Sequence, residues 1–283
     1  MSSVLSAVGI GTLVVLAGTI PRNMAFAANF RFLSSVPWAV PIMAVYLWCF
    51  WRYLNSAGPP EETRDFRRRS LRAYRVSRRG WAWSLLAGGL GLVALVIALR
   101  VVNRLVELPQ QEMPSLPNVP PYTVWTLVMI GAPIAGLVEE AAFHGYMQGP
   151  IERRYGLIVA ILITGTTFAL VHLDFTPILW PYYIAVSAVY GTVTFLTNSV
   201  WPAVVLHTSG NVYSNIDLLL HGRADWQAPA ASAELVWATG VDSAFLQLMA
   251  ALLVTVAAML WAYTQLAGVT RQERATNTMP SAV

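Results

Sequence analysis

The residues with the clearest chemical potential are two adjacent glutamates, Glu139 and Glu140, followed by His144 in the stretch GLVEEAAFHG. An ionisable group inside an apolar membrane helix is costly, about 2.5 to 3.5 kcal/mol for Asp, Lys or Arg at the helix centre. Glu140 and His144 are four residues apart and share a helix face, whereas Glu139 points about 100° away. Two adjacent carboxylates in an apolar helix have no packing rationale, so they indicate a functional site.

Two further stretches carry imidazole and amide groups at helical spacing. FALVH places Phe168 and His172 on one helix face. HTSGN places His207 and Asn211 on one face of a later helix. With the glutamates they supply a carboxylate base, imidazoles that orient or donate protons, and an amide donor suited to an oxyanion. This set of groups predicts hydrolysis, in which an activated water molecule attacks a carbonyl carbon. We therefore expect the two histidines, Asn211 and Glu139 to converge on one cavity.

The helices that must position these residues are membrane spans. Hydrophobic residues make up 56% of the 283 residues and charged residues only 11%, whereas a soluble domain carries roughly 25% charged residues. A spanning helix needs about 20 apolar residues, and such runs recur along the chain. The sequence therefore predicts an all-α fold, a polytopic transmembrane bundle of about eight spans in a bacterial-type cell membrane. The predicted spans are 3–20, 36–54, 81–99, 122–148, 157–176, 181–199, 201–220 and 243–267.

The excess of positive charge also points to a membrane. The formal charge is +4, the chain contains no lysine, and eight arginines lie in one basic segment, residues 61–79. Basic loops in an apolar protein mark the cytoplasmic side of a membrane, so we interpret the basic segment as cytoplasmic and not as a nucleic-acid site. Apolar residues alternate with these arginines. The segment is therefore either a helix lying along an anionic leaflet or a solvated loop.

Prolines mark the borders of the predicted domains. Residues 105–122 contain five prolines, which exclude a continuous helix. We predict N-terminal helices with the basic segment and a proline-rich linker at 1–121, a catalytic core at 122–220, and an external loop, last helix and C-terminal tail at 221–283. The first helix is expected to end at Pro21, which places Arg22 in an external loop. A cleaved signal peptide is the alternative for that first run, although no positive charge precedes it.

The polar stretches resemble the CPBP family of intramembrane proteases, which includes the Rce1-type prenyl-protein (CAAX) endopeptidases and bacterial relatives. The family pattern is Glu-Glu-x-x-x-Arg, Phe-x-x-x-His and His-x-x-x-Asn, and the resemblance covers the core from about Tyr122 to Leu220. One position departs from the pattern, because His144 stands where the family has arginine. The matching residues are Glu139, Glu140, Phe168, His172, His207 and Asn211.

The resemblance implies a glutamate-dependent endopeptidase that cuts a membrane-anchored or lipidated protein. In this interpretation Glu139 and His172 activate water, and His207 with Asn211 stabilises the oxyanion. Glu140 belongs to the same catalytic set. His144 and Phe168 are then supporting residues.

The sequence favours chemistry without a metal ion. Three histidines and a carboxylate can bind Zn²⁺, but the helical His-Glu-x-x-His zinc motif is absent. We therefore predict no cofactor, with zinc as the alternative.

Two other functions fit the same residues. A non-catalytic family member would bind and regulate a partner's transmembrane or lipidated segment, and the unusual His144 favours this reading of the site. A proton-coupled transporter would use the glutamates and histidines as a relay. The chain lacks the internal repeats of many transporters. Intramembrane proteolysis is our leading hypothesis.

Overall fold

The computed structural model describes residues 4–108, 118–172, 177–222 and 234–278. Over these residues the long elements are all helices and no strand is formed, which confirms the predicted all-α class. A π-helix, Glu140–Met147, joins the fifth helix to the sixth. The α-helices are α1 (Val4–Arg31), α2 (Ala39–Leu54), α3 (Arg64–Leu71), α4 (Arg78–Leu105), α5 (Pro121–Glu139), α6 (Gln148–Val171), α7 (Trp180–Thr197), α8 (Trp201–His221), α9 (Val236–Thr239) and α10 (Ser243–Thr278).

Five stretches within the described residues are long and apolar enough to cross a membrane. One of them has 51 residues, and Gly156 breaks its helical path with φ 83° and ψ 169°, so it contains two of the predicted spans. α2 is a shorter apolar helix. α8 is not among the five, because its polar residues lower its mean hydropathy. The protein is an integral membrane helical bundle, while the count of eight spans stays a prediction. The five stretches are Val4–Arg31, Arg78–Leu105, Pro121–Val171, Pro177–Thr197 and Ser243–Ala275.

The first helix is longer than the sequence predicted. α1 continues through Pro21 to Arg31, so the expected end at the proline is wrong. Proline removes one backbone donor, but a membrane helix packed against its neighbours tolerates that loss. The packing is close, since a Cβ at Gly18 would lie 2.3 Å from Val138 Cγ1. Arg22 therefore lies within a helix and not in an external loop.

The basic segment contains α3 and is attached to one end of the bundle by two buried arginines. Arg67, 3% exposed, donates to four backbone carbonyl groups between Tyr53 and Pro60. Arg72, 5% exposed, pairs with Glu152 at 2.6 Å. The segment is therefore a packed part of the fold and not a solvated loop, while its contact with an anionic leaflet stays a prediction. Its other arginines are exposed, namely Arg64, Arg68, Arg69, Arg75, Arg78 and Arg79.

Some sequence predictions fall outside the described residues. They concern most of the proline-rich linker, at 109–117, and the external loop, at 223–233. The division into three domains stays a prediction.

Candidate active site

A π-helix in the interior of the bundle carries the second glutamate and the histidine that follows it. α5 ends at Glu139, and the π-helix begins at the next residue. Such helices are rare and occur frequently at functional sites. All eight residues of this one are buried. Small residues allow this, because a Cβ at Gly145 would lie only 3.1 Å from the backbone oxygen of Ser70. The basic segment thus packs directly on the helix that carries the site.

His207 of α8 contacts both glutamates. Its Nδ1 lies 2.8 Å from Glu140 Oε1, and its Nε2 lies 3.6 Å from Glu139 Oε2. α5 and α8 come this close at Gly136, where a Cβ would lie 2.5 Å from Thr208 Oγ1. An ionised Glu140 accepts a hydrogen bond from the Nδ1–H, which fixes the orientation of the ring. Nε2 is thereby directed at Glu139.

Glu139 carries an oxygen atom that no hydrogen bond satisfies. The residue is 8% exposed, and its Oε2 has no hydrogen-bond partner among the described residues. Leaving a buried acceptor unsatisfied costs about 1 to 3 kcal/mol, and more if it is charged. A water molecule or a substrate group is therefore the expected partner.

Arg22 of α1 is a second charged neighbour of this glutamate. The guanidinium interacts electrostatically with Glu139, which places a positive charge near the carboxylate inside the bundle. The sequence prediction missed Arg22 because it placed the residue in an external loop. Only the packing of α1 on α5 brings the two residues together.

His172 lies at the C-terminal end of α6. Its Nδ1 donates to the Phe168 carbonyl oxygen at 2.8 Å, which leaves Nε2 for water or substrate. The Phe168 ring lies 4.4 Å from the His172 ring and 6.2 Å from the His207 ring. Within the described residues no ion pair joins His172 to Glu139. The histidine that contacts Glu139 is His207.

A cavity of about 550 Å³ brings the predicted site residues together. It is bounded by α4, α7 and α8, with Glu139 of α5, Phe168 of α6 and His172 directly after α6. Glu140 and His144, 1% and 2% exposed, lie behind His207 and do not line it. The residues expected to converge therefore do so. Those on the cavity wall are Glu139, Phe168, His172, His207 and Asn211.

A buried chain of polar groups leads from Glu140 away from the cavity. His144 Nε2 lies 3.9 Å from Glu140 Oε2, close enough for an ion pair and too far for a hydrogen bond. Its Nδ1 lies 2.6 Å from Gln148 Oε1. Gln148 uses its amide nitrogen to donate to Glu152 and to the Gly191 carbonyl oxygen, each at 2.9 Å. Gln148 Oε1 is therefore the acceptor and His144 Nδ1 the donor.

The polar chain ends at the basic segment, where Glu152 pairs with Arg72. The sequence prediction did not include Gln148 or Glu152. A signal for them exists, because residues 140, 144, 148 and 152 are polar at four-residue intervals and so follow one helix face.

Tyr190 of α7 is a further neighbour that the sequence did not reveal. Its ring stacks on His207 with the centroids 4.9 Å apart and an interplanar angle of 9°. It also meets the His144 ring edge to face at 6.4 Å. No spacing pattern in the sequence distinguishes Tyr190 from the other tyrosines of α7.

The site offers an unsatisfied carboxylate oxygen, two imidazoles and an amide around one cavity, which are the groups that general base and oxyanion chemistry needs. In the described part of the chain no group of three or more His, Cys, Asp or Glu side chains is arranged to hold a metal ion. Chemistry without a metal stays a prediction.

Comparison with known families identifies the segment that carries this site. Residues 120–213 match the Rce1-like family, described as type II CAAX prenyl endopeptidase Rce1-like. The match covers about a third of the chain. No curated protein and no solved structure gave a match. This match at residues 120–213 confirms the resemblance to the Rce1-type family that the glutamate and histidine motifs indicate.

Proposed function

We propose that the protein is an intramembrane endopeptidase that hydrolyses a peptide bond of a membrane-anchored or lipidated protein. The observation that carries this proposal is Glu139, which lines a cavity shared with two histidines and an amide and whose buried Oε2 has no hydrogen-bond partner among the described residues. A carboxylate in that position can take a proton from water. The family match supports proteolysis in general. The mechanism that follows is our own inference.

Glu139 and His172 activate the water molecule in this mechanism. The carboxylate takes one proton as the water oxygen attacks the carbonyl carbon. His172 keeps Nε2 available, because Nδ1 donates to the Phe168 carbonyl oxygen. The proton then passes to the leaving amine, so that each proton removed from water is returned to a product.

His207 and Asn211 stabilise the tetrahedral oxyanion. The Asn211 amide is a donor on the cavity wall, and His207 donates through Nε2 when its ring is protonated. Glu140 holds the ring in place through Nδ1 at 2.8 Å. Removing one oxyanion donor typically costs about 10² to 10³ in rate. We therefore expect His207→Ala and Asn211→Ala each to lower the cleavage rate by about that factor.

Purified protein incubated with membrane-anchored and prenylated reporter proteins tests the proposal. We expect cleavage of at least one reporter, with the new termini identified by mass spectrometry. A parallel incubation with a chelator tests the prediction that no metal is needed, since loss of cleavage there would require one.

The regulator hypothesis makes the opposite prediction for the same reporters. A non-catalytic member would retain a partner's transmembrane or lipidated segment without cutting it. Stable co-purification of a reporter that stays intact, with no cleavage of any other reporter, would contradict proteolysis.

A further inference from the structure

The two ends of the helical bundle can be told apart by their contacts. At one end the basic segment is tied to the junction of α7 and α8. Arg72 Nε donates to Asn198 Oδ1 at 3.1 Å, and Ser199 Oγ donates to the Tyr74 carbonyl oxygen at 2.7 Å. This is the basic end, which the positive-inside rule assigns to the cytoplasm.

The opposite end is where α4 finishes. Arg104 in its last turn pairs with Asp242, just before α10, at 2.8 Å. Trp237 of α9 donates to the Leu105 carbonyl oxygen at 2.7 Å. α4 therefore runs from the basic end to this second end.

The cavity occupies the half of the bundle that is remote from the basic end. On α4 it is lined by residues from 92 to 103, in the second half of a helix that starts at Arg78. On α7 it is lined by four residues from 182 to 190, and three of them lie in the half that is farther from Asn198. On α8, which leaves the basic end, the lining begins at His207 and reaches Asp217. The lining residues of α4, α7 and α8 therefore each place the cavity in the half of the bundle that is remote from the basic end.

Close helix packing closes the cavity toward the basic end. A Cβ at Gly88 of α4 would lie 2.1 Å from Leu206 Cδ1, and one at Gly91 would lie 2.8 Å from Val189 Cγ2. Both contacts come just before the cavity lining starts on α4. Gln148, which is fully buried, fills the space behind the histidines. A substrate has no room to reach Glu139 from that side.

The other side of the cavity is open and polar. Arg100 on its wall is exposed to the surroundings, and Tyr213 is 57% exposed. Asn103 and Asp217 line the cavity at the same level. Val93 of α4, 51% exposed, also lines the cavity. The exposed lining residues therefore form a mouth that extends from this end of the bundle along α4 into the adjoining half of the bilayer.

We infer that substrates enter the cavity from the non-cytoplasmic face of the membrane. The substrate class is then a membrane-anchored protein whose cut segment lies on that face or in the adjoining half of the bilayer. The substrate statement rests on the proposed peptidase function. The position of the mouth does not, so the two can be tested separately.

Labelling of single cysteines tests the position of the mouth without any activity. In a Cys49→Ser background, Arg100→Cys places a thiol at the mouth and Arg68→Cys places one on the exposed side of the basic segment. A membrane-impermeant maleimide applied to intact cells should label Arg100→Cys, and should label Arg68→Cys only after the membrane is permeabilised. Labelling of Arg68→Cys in intact cells, with protection of Arg100→Cys, would overturn the inference.

Two matched reporters test the substrate class. Both carry the same anchoring helix and the same cleavable segment, placed at its non-cytoplasmic end in one and at its cytoplasmic end in the other. We expect cleavage of the first reporter alone. Cleavage of the second alone would contradict the proposed entry side. If neither reporter is cut while the labelling pattern holds, the proposed peptidase function fails and the position of the mouth stands.

Discussion

His207 joins the two glutamates into one site, because each of its ring nitrogens faces a different carboxylate. A carboxylate that accepts from the Nδ1–H determines which nitrogen points toward the reacting atoms. In the proposed mechanism Glu140 therefore acts through His207, whereas Glu139 itself lines the cavity. This division of roles gives a physical reason for two adjacent glutamates in one apolar helix.

His144 lies 3.9 Å from Glu140 Oε2, while His207 contacts the other oxygen of that carboxylate. We propose that His144 braces Glu140, and its replacement tests that role. His144→Ala leaves Gln148 Oε1 without its donor, at a cost of about 1 to 3 kcal/mol in the free energy of unfolding. His144→Arg restores the family residue, whose longer side chain can bridge the 3.9 Å gap to Glu140 Oε2 with charge-assisted hydrogen bonds. We expect the arginine variant to retain folding and cleavage and the alanine variant to lose stability, as measured by chemical unfolding and reporter turnover.

If His144→Arg abolishes cleavage while His144→Ala keeps it, the bracing role is wrong. If both variants fold well and neither cleaves, His144 takes part in the chemistry itself.

Four of the polar residues that line the cavity, Glu139, His172, His207 and Asn211, were predicted from the sequence, whereas their neighbours were not. Glu139, His207 and Asn211 were accessible to prediction because polar groups in apolar helices are costly and therefore conspicuous. Gln148 was also accessible, through its four-residue spacing from His144. Arg22 and Tyr190 were not, since their relation to the site depends on how separate helices pack.

At the scale of elements, the close crossing of α5 and α8 sets the distance from Glu140 to His207. Gly136→Ala would place a Cβ 2.5 Å from Thr208 Oγ1 and 3.1 Å from the Val204 carbonyl oxygen. Overpacking of this kind costs about 1 to 3 kcal/mol, and a shift of about 1 Å in a catalytic group can cost about 10²-fold in rate. We expect lower stability and slower cleavage, measured by thermal unfolding and reporter turnover.

Gly131 on the same helix provides the matched control. A Cβ there would meet only Phe26 Cε2, at 3.8 Å, which is an ordinary contact. Gly131→Ala should therefore behave like the wild type. Equal effects of the two alanines would show that the crossing at Gly136 does not control the site.

The elements themselves were predictable in type and less so in detail. Apolar run length revealed the long helices, because the bilayer requires it. The π-helix was not predictable, since Glu140–Met147 has no composition that separates it from an α-helix. The extension of α1 past Pro21 was missed because a proline stops most helices in water, while packing inside a bundle permits its presence.

At the level of the whole bundle, Asp242, which lies just before α10, forms an ion pair with Arg104 of α4. This pair links the start of α10 to α4. The hydrogen bond to Arg104, together with the backbone N–H of Phe245, lowers the pKa of the Asp242 carboxyl below its ordinary value. A lowered pKa contributes stability above the unfolded-state value, and this contribution is lost as pH falls through the folded-state pKa. Asp242→Asn should therefore lower the melting temperature at neutral pH. The difference from wild type should shrink as pH falls below about 4.

Asparagine is also a good N-cap residue, so Asp242→Asn isolates the ion pair from the capping of α10. Asp65→Asn, at an exposed position of the basic segment, is the control for the change in charge. A melting difference for Asp242→Asn that stays constant down to acidic pH would exclude the ion pair as its cause.

We propose Glu139 as the general base of an intramembrane peptidase. The most direct measurement compares the cleavage rate of wild-type protein with that of Glu139→Gln, which is nearly isosteric, both purified and reconstituted in lipid vesicles with the same reporter. Glu107→Gln, the same change at an exposed position, is the control. A general base contributes about 10² to 10⁴ in rate, so Glu139→Gln should lose cleavage by at least about 10²-fold with unchanged thermal unfolding, while Glu107→Gln cleaves normally. Wild-type turnover by folded Glu139→Gln would contradict the claim.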